Sequence, residues 1–153
     1  MATLLLDVPY LQQAEPGGCL AACAAMVLAY LEQPALPDDI SRQIGARPWG
    51  TPASNIRRLA GWGFDVRYET GSLRALQAFL SARQPVIAFV RTVEFHYAHV
   101  DSPHAVVVVG IDDVAVHLLD PDYQAQTPVA VSIDEFALAW SHFDQACAVI
   151  ATR

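Results

Sequence analysis

The run Pro103-His-Ala-Val-Val-Val-Val-Gly-Ile111 constrains the fold most. Four consecutive valines leave the strand no polar face, so it must be covered on both sides. The stretch "PVIAFVR", residues 85–91, has the same character. Asp112-Asp113 signals a turn, and "VAVHLL" after it is a second β-rich run, so residues 105–119 read as an antiparallel hairpin. "FDVRYE", "PVAVS" and "ACAVIAT" supply further strands.

The first half reads as helices. Residues 19–32 form a strong helical run stopped near Pro34, and "PDDISRQIG" is a short helix closed by Gly45. In "TPASNIRRLAGWG", Thr51 is the expected N-cap and Pro52 the first helical residue. Ser72 opens "GSLRALQAFLSAR", and Ser132 with Glu135 forms a capping box ahead of "FALAW". Helices first and an antiparallel sheet afterwards define an α+β domain. At 153 residues, 54% of them apolar and 16% charged, the chain is expected to form one domain with a full core, residues 1–153.

The formal net charge is −7 and every basic residue is Arg, so there is no basic tract for nucleic acid. "MATLLLDVPY" lacks the basic start of an export signal, and no apolar run approaches membrane-spanning length. Three cysteines, an odd number, argue against a disulfide framework. The expected setting is reduced and cytoplasmic.

Cys19 and Cys23 lie one helical turn apart but differ in setting. Cys19 follows Pro16-Gly17-Gly18 and begins the helix, where the dipole and unpaired N–H groups favour thiolate. Gly17 and Gly18 leave room for a substrate backbone. Cys23, among alanines, is expected to be neutral packing, as is Cys147.

A nucleophilic cysteine needs a base, and the base an orienting acceptor. His104 begins one hairpin strand and Asp120 ends the next, with Asp122 as the fallback acceptor. Register tests the pairing. A two-residue turn would set Ala105 opposite Asp120 and put His104 and Asp120 on opposite faces. A three-residue connection, a bulge, or an Asp120 bent out of the strand would bring them together. Gln13, six residues before Cys19, can supply a side-chain amide to a developing oxyanion beside the Cys19 N–H.

"VPYLQQAEPGGCLAACAAMVLAYL" resembles the opening of the C39-type papain-like cysteine peptidases, the double-glycine or bacteriocin-processing enzymes. Gln13, Cys19, Ala22, Cys23 and Met26 fall on that family's pattern, "HAVVVVGID" on its His strand, and Asp120-Pro121 on its Asp-Pro. The resemblance runs from about Val8 to "CAVIAT". It implies a papain-like fold whose N-terminal helical half packs on an antiparallel sheet. It also implies Cys19 as nucleophile, His104 as general base and acid, Asp120 as its orienter and Gln13 as oxyanion donor. Leu20 departs from the family's usual Gly and is expected to reshape the cleft, with Gly17, Gly18 and Pro103 as further substrate contacts.

The expected activity is hydrolysis of peptide or protein substrates without a cofactor. Acyl or peptidyl transfer by the same triad, and a non-catalytic peptide-binding domain, are the alternatives. A zinc site built on His96 and His99 with a cysteine is the competing chemistry, set against a loop that rims the cleft. His117 is expected as a half-exposed strand residue and His142 near a helix end. Trp49, Trp62 and Trp140 are expected to be packing anchors.

Overall fold

The computed structural model describes residues 4–123 and 128–153. Helix α1 (Cys19–Tyr30) and α2 (Pro37–Ile44) come first, then a 3-10 helix, Ala53–Trp62. Strand β1 (Phe64–Thr70), α3 (Leu73–Ser81) and β2 (Val86–Arg91) follow. The chain ends with β3 (Pro103–Ile111), β4 (Ala115–Leu119), β5 (Val129–Ser132), α4 (Ile133–Ser141) and β6 (Ala146–Thr152). The strands form one six-stranded sheet in the order β1-β6-β2-β3-β4-β5, with every neighbouring pair antiparallel.

Helix α1 packs on β3 and is apolar all round: every residue from Leu20 to Leu28 is buried. A helix of this kind is stable only inside a core, and its tertiary contacts supply the stability that an isolated segment of this length lacks. Every residue of β3 from His104 to Gly110 is buried as well. Ser72 caps α3 through Ala75 N–H (3.0 Å), and Ser132 caps α4 through Glu135 N–H (3.0 Å), as the capping patterns predict. Gly45 closes α2 with φ +70°.

Thr51 does not act as an N-cap. The segment after it is a 3-10 helix that opens at an extended Pro52 without a side-chain cap. It is anchored from its side instead, by Asn55 Nδ2 donating to the Ile44 carbonyl (2.9 Å). Trp49 is no packing anchor either: it is 83% exposed, and Trp62 is also exposed. Trp140 is buried and donates Nε1–H to the Ala146 carbonyl (2.8 Å).

The β3–β4 hairpin determines the site. Three residues, 112–114, join the strands, but the register is not the expected one: Ile111 pairs with Val116 and not with Ala115. Asp112 Oδ1 accepts from the N–H groups of Val114 and Ala115 (2.8 Å each), and Asp112 N–H donates to the Ala115 carbonyl (3.0 Å), a local turn that sets this register. Continued without interruption, this register would set Asp120 opposite Val107 and on the face away from His104. A bulge at Val109 shifts it by one, to Val108↔Leu118 and Val107↔Leu119. Asp120, just past β4, then falls opposite Val106 and on the His104 face. The N-terminal segment stabilises the bulge, since Leu6 N–H donates to the Val109 carbonyl (2.9 Å).

Gly110 is required where that segment crosses. A Cβ there would stand 2.5 Å from Leu5 Cδ2 and 3.0 Å from the Leu4 carbonyl oxygen. Gly110→Ala is expected to lower unfolding stability by about 1–3 kcal/mol, the usual cost of overpacking. Urea unfolding checks this, and an unchanged midpoint would mean that the N-terminal segment does not pack on the bulge.

Candidate active site

The start of α1 meets the start of β3 at the floor of a cleft of about 710 Å³. Gln13, Gly17, Cys19, Leu20, Pro103 and His104 all lie in its wall. Helix α1 opens at Gly18 without a side-chain cap. The Cys19 thiol sits at this uncapped end, close to the His104 ring and to the Ala105 and Leu20 N–H groups.

His104 Nε2 donates to Asp120 Oδ1 at 2.6 Å, which leaves Nδ1 to face Cys19. Both members of the pair are buried. The carboxylate has two further donors: Tyr97 OH to Oδ2 (2.7 Å) and Asp122 N–H to Oδ1 (2.9 Å). Tyr10 OH donates to the Asp120 carbonyl (2.9 Å) and contacts the Tyr123 carbonyl. Asp120 is therefore the residue paired with the imidazole, and Asp122 supports it through its main chain.

These contacts set the protonation states. Burial by itself pushes the Cys19 thiol up, but the hydrogen bond and charge of His104, with the two N–H groups, pull it below the usual thiol value. Burial depresses His104, yet its bonds to Asp120 and Cys19 outweigh that and raise it to about 10. Burial raises Asp120, and the bonds from His104, Tyr97 and Asp122 bring it below the ordinary carboxylate range. These directions favour a thiolate–imidazolium pair backed by a carboxylate. Cys23 goes the other way: complete burial, then the nearby Cys19 and Asp120, push it well up. Burial raises Cys147 to about 11.

Gln13 is held by its main chain, whose N–H donates to the Pro121 carbonyl (2.8 Å). Its side-chain Nε2 donates one hydrogen to the Glu15 carbonyl (3.1 Å), and its Oε1 is buried with no partner among the described residues. The second amide hydrogen is what remains for an oxyanion.

The glycines before Cys19 have a structural reason of their own. Gly17 has φ +82°, and a Cβ on it would stand 2.6 Å from the Pro48 carbonyl oxygen. A side chain at Gly17 would thus collide with the neighbouring loop, while the glycine itself stays in the cleft wall. Gly18 is not part of the cleft wall. Leu20 is 2% exposed, so most of its side chain belongs to the core and only its edge reaches the cleft.

The histidines of "EFHYAHVDSPH" separate. His96 Nδ1 pairs with Glu135 (2.8 Å) and His99 is exposed, and neither lies in the cleft wall. Among the described residues no three His, Cys, Asp or Glu side chains converge as metal ligands would. His142 caps the end of α4 and meets Glu94 (3.2 Å), and His117 is partly buried in β4 beside Asp112 (3.0 Å). Tyr97 and Trp49 are the site residues that sequence reasoning missed. Tyr97 stacks on Phe95 (5.5 Å between centroids) and meets Tyr123 edge-on (4.7 Å), which aims its hydroxyl at Asp120.

Solved structures share this architecture. A C39-like peptidase candidate from Bacillus anthracis aligns over 100% of this chain and 99% of its own, with a TM-score of 0.83 at 18% identity. A double glycine motif protease from an AMS/PCAT transporter, solved with the leader peptide, aligns over the whole of both chains (TM-score 0.74, 20% identity). The peptidase domain of Streptococcus ComA, a bifunctional ABC transporter of a quorum-sensing pathway, aligns over 96% of this chain and 100% of its own (TM-score 0.77, 18% identity). The fold is therefore that of the papain-like α+β peptidases, a helical N-terminal half on an antiparallel sheet. The sequence matches the model of the Peptidase_C39 like family over residues 5–148, and the chain belongs to that family. No match was found among curated proteins. No described helix is long and apolar enough to cross a membrane.

The ion pair has a signature in stability. His104 is raised when folded, so its contribution is full below 6.5 and is lost as pH rises through about 10. Cys19 is lowered when folded, so its contribution is present above 9.0 and is lost as pH falls through its depressed value. At pH values above both 6.5 and the depressed Cys19 value, and below 9.0, the folded state keeps the imidazolium proton and the unfolded state the thiol proton. The counts match, and the pair adds no slope. In Cys19→Ser the match is lost, and stability is expected to fall relative to wild type by up to about 1.4 kcal/mol per pH unit in that window. Urea unfolding of both proteins across the window measures the difference, and parallel curves would mean that Cys19 and His104 are not charged together.

Proposed function

We propose that this domain hydrolyses peptide bonds, with Cys19 as nucleophile and His104 as acid and base. Asp120 orients the imidazole and Gln13 donates to the oxyanion. The observation that carries this reading is the buried His104 Nε2–Asp120 Oδ1 contact at 2.6 Å, with the second ring nitrogen turned to Cys19 at the floor of an open cleft.

The chemistry follows from the protonation states. The Cys19 thiolate attacks the scissile carbonyl carbon, and the C=O pair moves onto oxygen. The Cys19 N–H, at the uncapped helix start, and the remaining Gln13 amide hydrogen stabilise that oxygen. His104 Nδ1–H gives its proton to the amine as the C–N bond breaks, which leaves a thioester. Water then attacks the thioester while Nδ1 takes its proton. The second tetrahedral adduct expels the thiolate, releases the acid product and restores the ion pair. Asp120 keeps Nε2 protonated throughout, so that Nδ1 is the nitrogen that cycles.

The solved double glycine motif protease in complex with the leader peptide supports a peptide as the occupant here. Incubation with a peptide mixture derived from whole-cell protein, followed by mass spectrometry of new termini, tests the reaction. Wild type is expected to create new termini and Cys19→Ala none. Gln13→Ala is expected to lower kcat by roughly 10²–10³-fold with little change in KM. Products capped by an added amine would indicate acyl transfer. Peptides retained uncut by wild type would indicate a binding module and overturn the hydrolase.

A further inference from the structure

The walls of the cleft carry charge of one sign. Glu15 and Asp122 line it, both exposed, and no Arg does. The chain has no Lys. Among the described residues no ion pair involves either carboxylate. Arg47, next in sequence to the lining residues Pro48 and Trp49, donates Nη1–H to the Ala46 carbonyl (3.3 Å) and is not part of the lining. The bond from Gln13 N–H to the Pro121 carbonyl (2.8 Å) ties the segment bearing Glu15 to the turn bearing Asp122. Behind them the Asp120 carboxylate is paired with His104, so no cationic side chain is left facing the cleft uncompensated among its lining residues. A concave wall of one sign concentrates ligands of the other.

The rest of the lining is largely apolar and aromatic. Trp49 is 83% exposed, and Pro48, Pro52 and Phe143 accompany it. Mutual backbone bonds between Arg47 and Gly50 (3.3 and 2.9 Å) hold the indole out, with Gly50 at φ +123°. An indole left in water at the rim of a cleft offers apolar area to a side chain and a π face to a cation.

We propose that the cleft selects cationic peptide segments, with a Lys or Arg side chain set against Glu15 and Asp122 and a neighbouring side chain laid on Trp49. This rests on the cleft being the substrate site, and its test does not require turnover.

The first arm reads the field at Cys19 with two small thiol reagents, an ethylammonium and an ethylsulfonate methanethiosulfonate. Their rate ratio on the full protein is compared with the ratio on free cysteine. The cation is expected to gain about tenfold relative to free cysteine at low salt. The gain is expected to shrink at high salt and to disappear in Glu15→Gln/Asp122→Asn. The second arm binds matched Ala–Leu hexapeptides carrying Lys, Gln or Glu to Cys19→Ala, followed by tryptophan fluorescence. The Lys peptide is expected to bind about tenfold tighter than the Glu peptide, and the fluorescence change to vanish in Trp49→Phe. Equal rates and equal affinities, or a preference for anions, would overturn the proposal. Charge-selective binding without cleavage by wild type would leave it standing and remove the hydrolase reading. Cleavage without charge selectivity would do the reverse.

Discussion

The register of one hairpin governs the site. His104 and Asp120 come from adjacent strands, and the Ile111↔Val116 register alone would turn their side chains to opposite faces. The bulge at Val109 reverses the parity of the ladder, and the 2.6 Å contact follows. A bulge leaves a carbonyl unpaired on the ladder, which is costly in a buried strand. Leu6 N–H takes that carbonyl, and Gly110 lets the segment bearing Leu6 come close. A stretch with no chemistry of its own thus supports the site from behind.

The second dependence is electrostatic. A buried imidazolium is tolerated only with partners, because desolvation disfavours the charged form. Asp120 supplies that partner and is in turn held by Tyr97 OH and Asp122 N–H, while Tyr10 fixes the main chain around it. Cys19 completes the arrangement at an uncapped helix start, where N–H groups take the place of a capping side chain. Cys23 has the same chemistry one turn deeper, but no partner that favours its charged form, so the two thiols are driven in opposite directions.

Much of this was legible in the residues. The valine run announced a strand covered on both faces, the serine caps placed α3 and α4, and the His104–Asp120 parity argument required a bulge or its equivalent. The bulge itself was not visible, because the Leu6–Val109 contact that stabilises it joins segments about a hundred residues apart. Tyr97 was hidden in a stretch read for its histidines, and its role depends on a fold-back that no local pattern encodes. The need for glycine at position 17 comes from a loop about thirty residues away, whose Pro48 carbonyl a Cβ would strike. Trp49 was read as core because large aromatic residues usually are, and only the loop geometry puts it at the rim of the cleft. The periodic elements could be read locally. The long-range contacts that convert them into a site could not.

The central claim is that His104 holds Cys19 as thiolate, and the pH dependence of Cys19 alkylation by iodoacetamide, read by intact mass, tests it most directly. The account predicts that Cys19 reacts well below the pH range of an ordinary thiol, ahead of Cys23 and Cys147, and that His104→Ala moves its profile up toward that range. An ordinary thiol profile for Cys19 in wild type, or one unmoved by His104→Ala, would contradict it.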